Sequence, residues 1–139
     1  MSIVYTLSIE CVFGAHLEKP FFRVVEVPFD MTLDDLQDYI HELTDFDYDH
    51  LSDFYISSSP NGEKKWFEHI GGYFGIPLNE LYPLPKHKKL YYLFDFGDNW
   101  TFEIRRKSSG KKAIPDVEYP RIIKSEGPIP EQYPSFEDD

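Results

Sequence analysis

Cysteine is almost missing from this 139-residue chain, in which Cys11 stands alone. One thiol can neither close an internal disulfide nor supply a zinc-ribbon ligand set, so both devices are excluded as staples of the fold. Cys11 lies in an alternating stretch, where a lone cysteine reads as a small core residue. Long apolar runs are missing too. No stretch approaches the roughly 18 residues that a spanning helix needs, and the first thirteen residues carry neither a basic leader nor a small-residue cleavage site; a cytoplasmic location without a membrane partner is expected.

Positive charge is scarce in the first part of the chain. Residues 1–85 hold 4 Lys/Arg against 15 Asp/Glu, residues 86–124 hold 10 against 5, and residues 125–139 hold none against 5. The formal net charge of −11 disfavours nucleic-acid binding by the whole surface, because phosphate attraction needs positive faces. A basic stretch embedded in an acidic chain is expected to fold back on it, bringing Lys88, Arg105 or Arg106 near Asp34, Asp38 or Glu42. Aromatic residues are plentiful. Twelve Phe and ten Tyr give ample material for one core and are far too many for a disordered acidic chain.

The odd positions from Ile3 to Phe13 are apolar while Thr6, Ser8 and Glu10 interrupt the even ones, which predicts a half-buried strand. Phe21 to Val27 predicts a second strand, paired with the first as an antiparallel hairpin. Leu33, Leu36, Ile40 and Leu43 share one helical face, with Thr32 placed to cap the helix and Asp34 and Asp35 suited to its positive end. Leu51 to Ser57 suggests a third strand, and the run from Ser58 to Gly62 a turn. Trp66, Phe67, Ile70, Tyr73 and Phe74 have rough helical spacing, giving a short helix limited by Gly71 and Gly72. Leu90 to Phe96 and Trp100 to Arg106 alternate on either side of a turn and read as a second hairpin. From Lys107 onward charge, Gly and Pro replace periodicity. The expected fold class is α+β: a mixed sheet with one main helix in a β-grasp-like order of β-β-α-β, short α and β-hairpin, as one domain over residues 1–125 with an acidic Pro-containing tail over 126–139. Leu7, Leu36, Ile40 and Phe94 are expected to share its core.

The strongest local signal is the run from Asp95 to Trp100, Asp-Phe-Gly-Asp-Asn-Trp. Its first three letters overlap a kinase metal-binding triplet, but the Gly-rich loop, strand lysine and catalytic loop of that enzyme are missing. As a turn, Gly97 is expected at positive φ, Asp98 or Asn99 to bond the turn backbone, and Trp100 to pack one face. The alternative gives Asp95 and Asp98 to a ligand or divalent ion. Asp45, Asp47, Asp49 and His50 form an oxygen-rich loop, but the central Gly and terminal Glu of a helix-loop-helix calcium site are absent. His50 with Asp53 has the residue types of a general base and its orienting carboxylate, without a nucleophile signature. His16, His41, His69 and His87 show no metal-ligand spacing. Lys86–Lys89, Arg105–Lys107 and Lys111–Lys112 would make a patch for single-stranded nucleic acid if they met on one side.

Two stretches resemble the plasmid pRiA4b ORF-3-like family, whose members also appear as passenger genes of bacterial insertion elements. The first runs from Val27 to Ile40 and resumes from Asp49 to Phe54; the second, Tyr92 to Trp100, is similar to the family's Tyr-Asp-Phe-Gly-Asp-x-Trp core. Together they anchor residues 3–106. Phe102 stands where the family usually has His, and the family's later cysteine and Pro-rich tail survive only as Gly127 to Glu131, so any metal use of those groups is not expected here. The resemblance implies a fold group and no settled activity. The expected function is a non-catalytic binding or interaction domain whose contact surface involves Asp95, Asp98, Trp100, Asp49 and His50, with Gly97 as a structural turn residue, no catalytic residues, no metal, no cofactor, and an unidentified protein or small molecule as partner. The rivals are a divalent-metal-dependent hydrolase or nucleotide-acting enzyme, and a mobile-element accessory protein touching DNA.

Overall fold

The structure, a computed structural model, describes residues 2–133. Its strands are β1 (Ile3–Phe13), β2 (Phe21–Pro28), β3 (Ser52–Ser57), β4 (Lys65–Trp66), β5 (Lys89–Phe94), β6 (Trp100–Arg106), β7 (Lys111–Lys112) and β8 (Arg121–Glu126), and its helices are α1 (Leu33–Thr44) and α2 (Leu78–Leu81). The strands make one sheet in the order β4-β3-β5-β6-β1-β2-β8, with β7 paired to the start of β1. Every pairing is antiparallel.

This corrects the α+β, mixed-sheet, β-grasp-like expectation: the described residues are an antiparallel sheet with only two short helices, an all-β arrangement. The element order misled because α1 does follow a hairpin, as in a β-grasp, but it delivers the chain to β3 near the far side of the sheet, where β3 pairs antiparallel with β5. No parallel pair forms. The stretch from Trp66 to Phe74 is not a helix; its first residue ends β4, and Gly71 and Gly72 both take left-handed φ, of 59° and 84°, which stops helical propagation. The chain's second helix comes instead at Leu78–Leu81, after Pro77. Beyond Lys107, where periodicity fails, β7 and β8 form through backbone pairing on strands already built.

The core lies on the sheet face that α1 covers. Strand register places Tyr5, Leu7, Ile9 and Cys11 of β1 opposite Val27, Val25, Arg23 and Phe21 of β2, and Ile9 and Cys11 opposite Ile104 and Phe102 of β6. Leu90, Tyr92 and Phe94 of β5 continue the row against Ile104, Phe102 and Trp100. Leu33, Leu36, Ile40 and Leu43 of α1 close over it. Leu7, Leu36, Ile40 and Phe94 are all buried in this one cluster, as their phase predicts. Cys11 is buried, and burial pushes its thiol up to about 12, so it packs as an inert apolar group. Thr32 caps α1 in a reciprocal box with Asp35, and Asp45 in the left-handed region (φ 58°) ends it.

The basic stretch does not lie against α1. Lys111 and Arg121 both pair with Glu26, which is buried on β2, while Arg105 and Lys89 pair with Glu103 of β6. The partners of the expected pairing are therefore strand carboxylates and not Asp34, Asp38 or Glu42. The reason is register: β7 and β8 add beside β1 and β2, so their long cationic side chains reach the nearest buried acid of the sheet.

One close approach fixes the end of β1. A Cβ at Gly14 would fall 2.2 Å from the Trp100 ring, and Trp100 is fully buried. Gly14→Ala should therefore cost about 1–3 kcal/mol by overpacking, and Leu36→Ala about 2–5 kcal/mol by leaving a cavity. Urea unfolding followed by circular dichroism checks both; a Gly14→Ala midpoint equal to that of the wild type would mean that the indole does not sit on this turn.

Candidate functional site

The β5–β6 connection is five residues long, and Asp95 organises it. Its backbone sits in the left-handed region (φ 62°), as does that of Asn99 (φ 54°), both residue types that tolerate this conformation. Gly97, expected at positive φ, is not among the left-handed residues. The Asp95 carboxylate accepts hydrogen bonds through Oδ1 from the backbone N–H groups of Gly97 (3.1 Å) and Asp98 (3.3 Å), and the Asn99 N–H donates back to the Asp95 carbonyl at 2.6 Å. The side chain closes the turn that a glycine was expected to permit. The Asp95 N–H in turn donates to the Leu51 carbonyl at 3.0 Å, tying the hairpin end to the loop before β3.

That loop carries Asp49 and His50, and three observations explain its placement. His41 of α1 is buried with Nδ1 3.1 Å from the Phe46 carbonyl and Nε2 2.8 Å from the Tyr92 hydroxyl. A carbonyl only accepts, so Nδ1 carries the proton; burial holds the imidazole pKa below its ordinary value, and the neutral Nε2 accepts from Tyr92. The Tyr48 ring then stacks on His41 at 3.7 Å while its hydroxyl donates to Asp38 at 2.5 Å, which pins the loop to the helix from outside. From the other side Gln132 accepts from the Asp47 N–H (2.8 Å) and donates to Asp49 Oδ1 (3.0 Å).

His50, Asp49 and Asp95 consequently meet. His50 Nε2 lies 3.4 Å from Asp95 Oδ2, 3.8 Å from Asp49 Oδ1 and 2.8 Å from the Tyr133 hydroxyl. Tyr133 spends its own proton on Asp49 Oδ2 at 2.5 Å, so toward His50 its oxygen accepts. Every neighbour of Nε2 is an acceptor, which assigns the proton to Nε2. Donation by Tyr133 holds the Asp49 carboxyl below its usual range, and the same carboxylate pushes the Tyr133 phenol up to about 12. Asp95 is 5% exposed, whereas Asp49, His50 and Tyr133 are open to solvent, so the cluster is a buried anchor with an accessible rim.

Asp98 does not join this group. It points to the other side of the turn, 3.6 Å from His16 Nε2, and its carbonyl accepts from the Ala15 N–H at 2.9 Å. Trp100 is wholly buried against Phe46 and Gly14, with its indole N–H among the buried donors that have no hydrogen-bond partner in the described residues. Asp53, paired in sequence with His50 as a possible orienting group, accepts from the Phe54 N–H instead. Phe102 fills the core among Phe21, Phe46 and Tyr92. Among the described residues no group of three or more His, Cys, Asp or Glu is arranged to hold a metal ion. Gln132 and Tyr133 escaped the sequence reading because they lie in the acidic Pro-containing tail, where no periodicity marks a residue as ordered. Gln132 is the residue there that becomes buried.

An antiparallel sheet closed over one main helix, with a carboxylate–histidine cluster at the central hairpin, is the class that these observations define. The model of the family described as plasmid pRiA4b ORF-3-like protein matches residues 5–133, nearly the whole chain, and the chain belongs to that family. Among solved structures it is similar to a protein of unknown function from Methanosarcina mazei Go1, with a TM-score of 0.72 and 24% identity over 90% of this chain and 70% of that one; at that identity the likeness concerns the fold alone. None of the curated proteins matches the chain. No helix among the described residues is long and apolar enough to cross a membrane.

The turn analysis separates two substitutions. Asp95→Ala removes both turn acceptors and puts Ala in the left-handed region, so it should destabilise by about 1–3 kcal/mol, with Asp95→Asn retaining most of the loss through its amide oxygen. A Cβ at Gly97 would meet only Asp95 Oδ1 at an ordinary 3.4 Å, and Gly97→Ala should fold within about 0.5 kcal/mol of the wild type. Chemical denaturation of the three variants reads this out; a severe loss in Gly97→Ala with none in Asp95→Ala would reverse the assignment.

Proposed function

We propose that this chain is a non-catalytic binding domain that takes a cationic segment of a partner protein on the sheet end where the β5–β6 turn, the Asp45–His50 loop and Tyr133 converge. The observation that carries the reading is the company this cluster keeps. Leu51 and Phe96 flank Asp95 in space and sequence, Tyr48 and Tyr133 cover the loop, and Phe13 ends β1 opposite Thr101 beside the turn. All five are large apolar side chains at least half exposed. Exposed apolar groups scattered singly are ordinary, but a cluster rimmed by charge has the composition of an interaction site.

The rim is acidic. Asp45, Asp47 and Asp49 are exposed and Asp98 is half-exposed on the same end, which complements Lys or Arg. Against catalysis stands the proton inventory: His50 Nε2 and the Tyr133 hydroxyl are committed to acceptors within the cluster, and His50 contacts no serine, threonine or cysteine among the described residues. A general base with neither nucleophile nor oxyanion donors has nothing to activate. The cluster instead holds Phe96, Leu51 and Tyr133 in fixed positions, which lowers the ordering cost of binding.

A thermal-shift comparison tests the reading. A short peptide combining Lys/Arg with aliphatic residues, at 100 times its dissociation constant, should raise stability by about 2.7 kcal/mol. Its affinity should fall about tenfold in a Phe96→Ala, Leu51→Ala double variant whose own melting temperature is near that of the wild type. Stabilisation by magnesium, manganese or calcium that disappears in Asp98→Asn, with no response to the peptide, would replace this reading with a metal-dependent one.

A further inference from the structure

At the opposite end of the β5–β6 hairpin from Asp95 the charge reverses. A cleft of about 350 Å3 opens between the Tyr82–Lys89 loop and the last residues of β6, and Lys86, Lys88, Lys89, Arg105 and Arg106 all line it. None of its lining residues is acidic. In a chain of net charge −11 this is the reverse of what chance placement gives, since acidic residues outnumber basic ones by 25 to 14. Lys89 and Arg105 are partly neutralised by Glu103 beneath the cleft, but Lys86, Lys88 and Arg106 have no ion-pair partner among the described residues.

Two further observations point from a solvated basic face to a built site. Arg106 is half-buried, with its guanidinium held 5.1 Å from the Tyr5 ring centre and 5.3 Å from that of Tyr82, so a cation is fixed in place by aromatic contacts and keeps its hydrogen-bonding edges uncommitted. Tyr82 also lines the cleft, is only 8% exposed, and has a buried hydroxyl with no hydrogen-bond partner among the described residues. A buried donor without an acceptor is costly, and an oxyanion is the group that would satisfy it together with the unpaired cations. The loop is also shaped in advance: Pro83 and Pro85 restrict its backbone, and the Lys88 N–H closes a turn on the Pro85 carbonyl at 3.0 Å.

We propose that this cleft is an oxyanion site that takes a phosphate group, with Arg106 and the Tyr82 hydroxyl as its fixed donors and Lys86 and Lys88 as its mobile cations. The site is independent of the acidic end, roughly 20 Å away along the six residues of β5 at about 3.4 Å per residue. Phosphate chemistry has two sources, a free phosphorylated small molecule or the backbone of a nucleic acid. The whole-chain charge repels a nucleic acid everywhere except here, which confines any such contact to one or two phosphates.

The test is a ¹H–¹⁵N NMR titration of the full chain at low ionic strength with pyrophosphate and, separately, with a short single-stranded oligonucleotide. Saturable shifts are expected at the amides of residues 86–89 and 104–106. They should weaken about fivefold or more in a Lys86→Gln, Lys88→Gln double variant, and measurably in Tyr82→Phe, which keeps the ring and removes only the hydroxyl. Tighter binding of the oligonucleotide assigns the phosphate to nucleic acid, and tighter or equal binding of pyrophosphate assigns it to a small ligand. Absence of saturable shifts at those amides with both probes, or shifts that the double variant leaves unchanged, would overturn the proposal.

Discussion

The Asp95 carboxylate is the interaction on which the functional end of this protein depends. It lies between two elements that have no sequence contact: its Oδ1 closes the β5–β6 turn and its Oδ2 faces His50 across from it. A buried carboxylate needs such partners, because leaving water without them costs several kcal/mol. Two backbone N–H groups and an imidazole N–H meet that need, and each partner is thereby positioned. The turn projects Phe96 outward, the loop before β3 is drawn to the hairpin, and Tyr133 from the chain's last described segment locks over both.

The same hairpin separates charge along the molecule. Its turn end is surrounded by aspartates and its open end by lysines and arginines, while the acids within the sheet, Glu26 and Glu103, absorb the cations of β7, β8 and the neighbouring strand. Surface pairs of this kind add little stability, on the order of 0–1 kcal/mol each, so their main effect is on the field. Glu26 is the exception in degree: it is buried, and Lys111, then Arg121, hold its carboxyl below the usual range. That arrangement favours the pairing of the two C-terminal strands, whose sequences offer no apolar face of their own.

How much of this was legible in the residues follows from what sets each element. β1, β2, β3, α1 and the β5–β6 hairpin all carry a hydrophobic period, and a period survives translation into burial, which is why Leu7, Leu36, Ile40 and Phe94 meet as expected. β7 and β8 carry no period because backbone pairing and ion pairs hold them, and neither leaves a pattern in a single sequence. Sheet direction was also invisible: element order is compatible with a parallel or an antiparallel return after α1, and only the long-range register decides it. At the site, Asp95, Asp49 and His50 were readable as polar residues beside strand ends, yet Asp98 faces His16 and Trp100 faces the core. The glycine in the turn drew attention away from Asp95, whose side chain does the work expected of a left-handed Gly97.

The central claim is that the acidic, aromatic-rimmed end of the sheet is a contact surface for a cationic partner. Hydrogen exchange of backbone amides, recorded with and without a saturating Lys/Arg-containing peptide, tests it most directly. The account predicts slowed exchange at residues 47–51 and 95–99 and unchanged exchange at residues 82–89, because a cationic ligand is repelled from the basic cleft. Protection confined to residues 82–89, or the same small change throughout the chain, would contradict it.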